Sequence, residues 1–473
     1  MKRMIIAGAC AAAAVAIGTA LASAFSGKSG LYGLSTPSSS APAATTPGSS
    51  GSLFALEQAV LTRQGISPAR AYQAIGVQST IAQSGLVSEV ESTMADTYGG
   101  MWFEPATAQL HIGVTSPASR RTAEGIVARA GLAADVTETP VRSTWAQLLA
   151  AQEQWGRKLA NLLARTQAQT ALAPQSNAVV VTLSSSVPSP ERSVLEREAS
   201  TAGVNIVVTV VPRSQLTTTP ESMPTVCNAF ARNAALCNKT LTSGVTIKAL
   251  VAGTTKEAAC TAGPMAIPNA NKNETYLLTA GHCISKTGGI GVTWYAFNTK
   301  REANAIGPAE EAVFNTKGDV GAIKIKNPGY WVNTGNDPVY ADTAEWSKNN
   351  PEMSYPVKGE RSSVVGYTNC HEGQTSGQQC GIVTKLGVEV NYGSEGGIVK
   401  GLVKDTAVTE PGDSGGPWLF ITTKANGALM EGVLSGGGGE TTKTPSYYEP
   451  LGEGLKLLTK LNLELLTTAN EVR

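Results

Sequence analysis

The chain has 473 residues, more than one hydrophobic core usually supports, and this length predicts about two to four domains. Fifty glycines, 15% charged residues and 5% aromatic residues favour a fold with many tight turns, nearer to all-β than to a helical bundle. Lys and Arg number 37 against 36 Asp and Glu, so the charge gives no reason to expect nucleic acid or an anionic membrane as a partner.

Residues 1–24 have the pattern of a secretory signal peptide. Lys2 and Arg3 precede an apolar, alanine-rich run that ends at the small-x-small site Ala22-Ser23-Ala24. A membrane anchor is the alternative, but no stop-transfer flank follows and small residues replace the usual Leu and Ile. We therefore expect a secreted, extracellular protein with no membrane association. Cys10 leaves with the signal, and the six remaining cysteines predict three disulfides.

Three segments of different composition follow the signal. Residues 25–52 are rich in Ser, Pro, Ala and Thr, which predicts a disordered linker. Residues 53–222 lack cysteine, and their apolar spacing predicts an α+β region of two similar small units, with a helix starting at Ser116 and Pro117. Residues 223–473 have short strands with glycine and asparagine turns, typical of a β-barrel or sandwich, and a closing C-terminal helix.

The segment PGDSGGPW, residues 411–418, holds a serine among glycines and prolines. A serine hydroxyl becomes a useful nucleophile only when a base removes its proton and a third group orients that base. Of the three histidines, His282 ends an apolar strand in YLLTAGHC and stands beside a cysteine. We interpret His111 as a strand residue and His371 as a surface residue of a hairpin, which leaves His282 as the candidate base.

Asp319 and the glycines complete the candidate site. Asp319 precedes an apolar strand and lies between His282 and Ser414 in the sequence, so it is the candidate orienting acid. The backbone N–H groups of Gly412 and Ser414 can converge on a tetrahedral oxyanion if Gly412 adopts a conformation closed to other residues. This chemistry needs no cofactor, and the absence of a CxxC pair argues against a metal site.

These motifs resemble a known family. TAGHC, Asp319 before a strand and GDSGGP are similar to the chymotrypsin-type serine proteases. VNYGSEGGIVKGLVKDTAVTEPGDSGGPW and VLSGGGG resemble the secreted bacterial streptogrisin and α-lytic branch, and the likeness covers nearly all of the chain after Met223. GGMWFEPATAQLHIGV, in region 53–222, resembles the long pro-regions of that branch through weaker motifs.

The resemblance implies an all-β protease domain of two six-stranded antiparallel barrels, with the active site in the cleft between them. It implies a triad of His282 as general base, Asp319 as orienting acid and Ser414 as nucleophile, with Gly412 and Ser414 as oxyanion donors. Protein or peptide substrates would be its partners, and the pro-region would inhibit the protease and assist its folding. We expect a monomer whose precursor is cut between about Val211 and Val226, in a polar, proline-marked junction.

Disulfides and a substrate pocket follow from the same resemblance. Cys260–Cys283 matches the disulfide beside the catalytic histidine, Cys370–Cys380 would close a hairpin, and Cys227–Cys237 a short loop. Thr406 and Ala407 form the pocket floor, or Val408 if the register lacks a two-residue insertion. Ser435, Gly436 and Gly437 form a wall without large side chains, along whose edge the substrate backbone pairs.

Either register makes the pocket neutral and predicts cleavage after Leu, Phe, Tyr or Met. Asp405 is one position from the floor and would instead give a preference for Arg or Lys. A preference for Glu would need an extra histidine, and His371 is the one left over.

Two departures from the branch and two alternative functions accompany this interpretation. Val408 and Thr441 stand where the branch has a disulfide that braces the pocket. The branch often pairs the acid beside the nucleophile, here Asp413, with an arginine, and none stands near CHEGQ. A protease-fold protein used only for binding is one alternative. An enzyme that acts on esters or on one dedicated protein is the other.

Overall fold

The structure, a computed structural model, describes residues 51–212, 241–250, 253, 257–297, 303–328, 340–342, 354–393, 397–422, 427–437 and 445–470. The predicted signal peptide, nearly all of the predicted linker and maturation segment, Cys227, Cys237 and Thr441 lie outside these residues. Below, residues 51–212 are called the N-terminal region and residues 241–470 the C-terminal region. Within the described residues, no helix is long and apolar enough to cross a membrane.

The N-terminal region consists of two units with the same plan. Each has an antiparallel pair of strands followed by a helix and a third, parallel strand, so β2 pairs with β3 and β5 pairs with β6 in parallel. Its helices are α1 (Gly51–Arg63), α2 (Pro68–Ser84), α3 (Leu86–Thr93), α4 (Pro117–Ala130), α5 (Trp145–Lys158), α6 (Ala160–Ala164) and α7 (Ser189–Ser200), with a short 3₁₀ turn at Pro174–Ser176. Its strands are β1 (Tyr98–Glu104), β2 (Gln109–Val114), β3 (Val136–Pro140), β4 (Ala168–Ala173), β5 (Ala178–Ser184) and β6 (Asn205–Val211).

Helix α4 begins where the sequence predicts, because its first turn is capped locally. The Ser116 hydroxyl accepts the Ser119 N–H at 3.1 Å, and the Ser119 hydroxyl accepts the Ser116 N–H at 2.9 Å. This reciprocal cap satisfies two donors that the helix itself cannot pair.

The C-terminal region begins with an eight-stranded sheet in the order β22-β9-β10-β13-β12-β11-β7-β8. Helix α8 (Gly281–Thr287) follows β10. The strands are β7 (Thr246–Leu250), β8 (Glu257–Thr261), β9 (Met265–Pro268), β10 (Tyr276–Thr279), β11 (Thr293–Phe297), β12 (Ala303–Asn315), β13 (Gly318–Lys324) and β22 (Leu463–Leu465).

The second sheet has eleven strands and crosses both regions. Its main path runs β14-β15-β20-β19-β16-β17-β4-β5-β6, and β18 and β21 join it beside β17 and β20. The strands from the C-terminal region are β14 (Tyr340–Asp342), β15 (Ser354–Glu360), β16 (Thr368–Gly373), β17 (Gly377–Asn391), β18 (Ile398–Asp405), β19 (Pro417–Thr422), β20 (Gly427–Gly436) and β21 (Ser446–Pro450). Within the described segments, the C-terminal region contributes eight strands to each sheet instead of the expected six, and β4 to β6 of the N-terminal region add three more to the second.

The C-terminal helix is shorter than the leucine spacing predicts. Helix α9 (Leu451–Leu457) has seven residues, and the chain then turns at Asn462 and enters β22. Leu463 and Leu465 alternate into the core of the first sheet while β22 pairs with β9. The apolar residues are buried as expected, but strand pairing replaces the last helical turns.

One apolar core joins the two regions. Ile75, Phe103 and Leu110 of the N-terminal region are buried in the same cluster as Tyr367 and Phe420 of the C-terminal region. Backbone bonds reinforce this contact, since the Phe103 N–H donates to Val365 O at 2.7 Å and Leu172 of β4 pairs with Leu386 of β17. The N-terminal region is therefore packed as a continuation of the second sheet.

Candidate functional site

His282 and Asp319 meet inside the first sheet. His282 lies in the first turn of α8, just after β10, and Asp319 is the second residue of β13, which pairs with β10. The Asp319 carboxylate accepts the His282 backbone N–H through Oδ1, and its Oδ2 lies 2.8 Å from His282 Nδ1. Both side chains are buried, at 4% and 0% exposure. With Nδ1–H donating to Asp319, the neutral ring has Nε2 free to accept a proton.

Ser435 and Glu449 form hydrogen bonds with Asp319, and the sequence analysis predicted neither contact. The Ser435 hydroxyl donates to Asp319 Oδ2 at 2.6 Å, and the Asp319 backbone N–H donates to Glu449 Oε2 at 2.9 Å. Burial raises the pKa of Glu449 to about 8, although the hydrogen bond from Asp319 lowers it. The acid is therefore fixed by four hydrogen bonds, three to its carboxylate and one from its backbone.

Ser414 lies in a turn against the same strands. Its carbonyl oxygen accepts the Thr261 N–H at 2.8 Å. Cys283 Sγ lies 3.9 Å from that carbonyl and 3.8 Å from His282 Nε2, so one sulfur contacts both residues. Ser414 and His282 both lie in described segments, and no hydrogen bond joins the Ser414 hydroxyl to the His282 ring. Such a bond is often loose before substrate binds.

The glycines of this turn have the conformation that the sequence argument requires. Gly412 has φ of +99° and Gly415 of +85°, both in the left-handed region. A Cβ at Gly415 would lie 2.0 Å from Thr279 Oγ1, so no larger residue fits. The Gly412 carbonyl accepts hydrogen bonds from Gln374 Nε2 and Thr261 Oγ1 at 2.8 and 2.9 Å.

Asp413, between these residues, is fixed by backbone donors. Its Oδ1 accepts the N–H groups of Thr375 and Ser376, and its Oδ2 accepts the Glu410 N–H, at 2.7 to 3.1 Å. The interpretation of His371 as a surface residue is wrong, because it is 1% exposed beside Asp413. The hairpin of β16 and β17 packs on β19, which covers the ring.

The disulfide pattern is present where it can be described. The structure joins Cys260 to Cys283 and Cys370 to Cys380, the latter across the β16–β17 hairpin. Cys260, His282 and Cys283 have the spacing of metal ligands. Because both sulfurs are in the disulfide, they cannot serve as thiolate ligands.

The two glycines of the predicted pocket wall have no space for a side chain, because a Cβ at either position would collide with a neighbouring residue. A Cβ at Gly436 would lie 2.7 Å from the Tyr392 ring, and one at Gly437 would lie 2.2 Å from Thr409 Oγ1. Ser435 is also predicted to line the wall, but its hydroxyl is hydrogen-bonded to Asp319 and to Tyr392 OH, the latter at 2.8 Å. Tyr392 also lies against Phe314, whose ring centroid is 5.4 Å from that of His282. Neither aromatic residue has a sequence signal that would have identified it.

The three residues of the predicted pocket floor differ in their exposure to solvent. Thr406 is exposed and its hydroxyl accepts the Ile382 N–H at 2.9 Å, whereas Ala407 is buried and Val408 half-buried. Asp405 is fully buried, and its Oδ1 accepts the Ala407 N–H at 2.7 Å. Burial raises the pKa of Asp405 well above its ordinary value, which favours an uncharged carboxyl.

Comparison with known proteins finds serine proteases among the relatives of this chain. The family model described as Trypsin matches residues 270–456. Serine protease 2 of Streptomyces fradiae is 33% identical over 35% of this chain and 80% of its own length. Streptogrisin-A of Streptomyces griseus is 32% identical over 38% of this chain and 50% of its own.

Other relatives are longer than the part that matches. The chain spans 22% of streptogrisin-C from Streptomyces griseus, at 34% identity over 24% of this chain. It spans 32% of serine protease 1 from Rarobacter faecitabidus, at 29% identity over 41% of this chain. Among solved structures, protease A of Thermobifida fusca is 24% identical, with a TM-score of 0.35 over 48% of this chain and 99% of that one.

Proposed function

The chain belongs to the trypsin family of serine proteases, and on that premise we propose that it is a secreted serine endopeptidase made as an inactive precursor. The observation that carries the proposal is the buried pair of His282 and Asp319, 2.8 Å apart, next to the turn that holds Ser414. A buried carboxylate that receives Nδ1–H leaves Nε2 as the base, which hydrolysis by a serine requires.

In the proposed reaction, Ser414 Oγ attacks the substrate carbonyl carbon and His282 Nε2 takes the hydroxyl proton. The N–H groups of Gly412 and Ser414 bind the oxyanion that forms. His282 then gives its proton to the leaving amine as the C–N bond breaks, which leaves an acyl-enzyme. Water attacks the acyl-enzyme, its proton passes to His282 and then to Ser414, and the acid product leaves.

Labelling with a serine-reactive phosphonate tests this reaction directly. Secreted, matured protein is treated with the phosphonate, and the modified peptide is located by mass spectrometry. We expect stoichiometric modification of Ser414 and its loss after prior heat denaturation. Unmodified Ser414 in folded protein would instead favour the alternative of a protease-fold binding protein.

Cleavage after large apolar residues is the proposed specificity. Gly436 and Gly437 carry no side chains, and none of the proposed floor residues Thr406, Ala407 and Val408 carries a charge. Two features speak against the alternatives: Asp405 is buried in a setting that favours its neutral form, and His371 is covered by Trp418. A peptide library read by mass spectrometry should show cuts after Leu, Phe, Tyr or Met. Predominant cutting after Arg or Lys would mean that Asp405 acts at the floor.

The N-terminal region is proposed to be an inhibitory pro-region that assists folding. The packing of β4 supports this proposal. Ala171 of β4 lies in one apolar cluster with Tyr392 and Tyr447, and Phe314 packs against that cluster. That cluster borders His282 through Phe314. We propose cleavage between about Val211 and Val226, which keeps every remaining cysteine in the mature protease. Active enzyme whose N-terminal sequence begins before Thr170 would contradict this maturation site.

A further inference from the structure

His371 is buried, and its ring has no hydrogen-bond partner in the part of the chain that the structure describes. It lies on β16 with 1% of its surface exposed, and its ring centroid is 5.4 Å from that of Trp418. Neither ring nitrogen forms a hydrogen bond with any described residue. Leaving a buried polar atom unpaired is costly, and most such atoms in proteins are satisfied. The exception therefore needs a functional explanation.

The carboxylate of Asp413 lies beside the ring. His371 Nε2 lies 3.7 Å from Asp413 Oδ2, slightly beyond hydrogen-bond distance. Oδ1 of this carboxylate already accepts two backbone N–H groups, whereas Oδ2 accepts one. An ionised carboxylate oxygen can accept two donors, so Oδ2 retains room for the imidazole.

The backbone around Asp413 is the segment that matters for the proposed chemistry. Gly412 precedes it and Ser414 follows it, and their N–H groups are the proposed oxyanion donors. The ring also touches the continuation of this turn, because a Cβ at Gly416 would lie 2.9 Å from His371 Cε1. The ring of His371 therefore lies close to this segment both at Asp413 and at Gly416.

We propose that His371 is a positioning residue for the oxyanion-binding segment, donating Nε2–H to Asp413 Oδ2 when substrate occupies the site. This inference rests on the proposed protease function. The chain has no arginine near CHEGQ, and His371 of that segment would add a side-chain donor to the three backbone donors of Asp413. Oxyanion donors act in the transition state, so the loss of this contact lowers kcat and leaves KM nearly unchanged.

A pair of amide variants tests the proposal with matched chemistry. The amide nitrogen of Gln reaches the place of imidazole Nε2, whereas that of Asn is one methylene shorter. In enzyme matured from the full chain, we expect His371→Gln to keep most of kcat. We expect His371→Asn and His371→Phe to lose about 10- to 100-fold in kcat, less than the removal of a whole oxyanion donor often costs.

Inhibitor binding separates positioning from general destabilisation. A peptide boronate forms a tetrahedral adduct that uses the oxyanion donors, while a product peptide does not. In His371→Asn, affinity for the boronate should fall with kcat and affinity for the product peptide should stay unchanged. Tyr367→Phe is the control, because it removes another buried, unpaired polar atom close to the start of β16 and lies outside the proposed site.

Equal kcat in the Gln and Asn variants would overturn the inference, as would an equal loss of affinity for both inhibitors. Phosphonate labelling of the parent enzyme distinguishes this failure from that of the proposed function. If Ser414 of the parent is labelled and the variants are equal, the role of His371 alone is wrong. If Ser414 of the parent is not labelled, the proposed function itself fails.

Discussion

Several buried carboxyl groups of the C-terminal region accept two or more hydrogen bonds from that same region, whereas Glu57 of the N-terminal region is buried against the C-terminal region with few partners. Glu431, for example, accepts hydrogen bonds from Arg361 Nε at 2.9 Å and from Asn369 Nδ2 and Tyr448 OH at 3.2 Å. Glu57 is also fully buried, but its Oε2 has no hydrogen-bond partner among the described residues, and Cys370 Sγ lies 4.0 Å from its Oε1.

This difference matches the proposed fates of the two regions. Removal of the N-terminal region leaves the ion pairs of the C-terminal region intact, because both partners stay. The cost of burying Glu57 exists only while the regions are packed together. Burial raises the pKa of Glu57 to about 8, an effect that Arg361 and a backbone hydrogen bond from Ile421 only partly offset. We therefore expect the contact between the regions to weaken as the pH rises and Glu57 ionises.

The largest expected effect comes from removing the proposed nucleophile, which tests whether the chemistry belongs wholly to the C-terminal region. Ser414→Ala should lower kcat by about 10⁴- to 10⁶-fold, because members of a triad act as a unit. The fold should persist, as circular dichroism can check. Burst kinetics in this variant would exclude Ser414 as the nucleophile.

The second effect is the pH dependence that Glu57 confers on the full precursor. The pKa of Glu57 is 4.5 when exposed and about 8 when buried, so the folded state prefers the neutral form. Its contribution to stability is fully present below pH 4.5 and is progressively lost up to pH 8, where the loss is about 4 kcal/mol. Glu57→Gln should remove this dependence.

Urea unfolding of the Ser414→Ala precursor, with and without Glu57→Gln, measures it between pH 5 and pH 8. Glu449 has a raised pKa as well, but it is present in both proteins and cancels in their difference. Parallel pH curves for the two proteins would show that Glu57 is ionised when buried or is not buried in solution.

The smallest expected effect comes from Ser435, whose hydroxyl donates to Asp319 of the proposed catalytic pair. Ser435→Ala removes one donor to Asp319 Oδ2 and should lower kcat by about 10- to 100-fold, the value of one hydrogen bond to a charged group. Ser363→Ala is the matched control, since its hydroxyl contacts Tyr448 OH at 2.8 Å and not Asp319. If both variants reduce kcat equally, the Ser435 hydroxyl does not act through Asp319.

Features that depend on local chemistry could be predicted from the sequence alone. Helix starts follow from capping residues such as Ser116, and the turn around Ser414 follows from glycines that accept positive φ. The motifs that contain His282, Asp319 and Ser414 could be identified as candidates for the same reason. Each motif is a short segment whose residue types are restricted by what it must do. The Cys370–Cys380 disulfide was implied by the family resemblance.

Only the tertiary structure decided which residues support that candidate site. Ser435 and Glu449 lie 116 and 130 positions from Asp319, and Tyr392 lies 43 positions from Ser435. The polar segment CHEGQ indicated an exposed hairpin, yet packing against Trp418 buries His371. Strand pairing brings such distant segments together, and no local pattern encodes which partner a strand will have. Burial and hydrogen bonding at these positions are therefore properties of the assembled sheets.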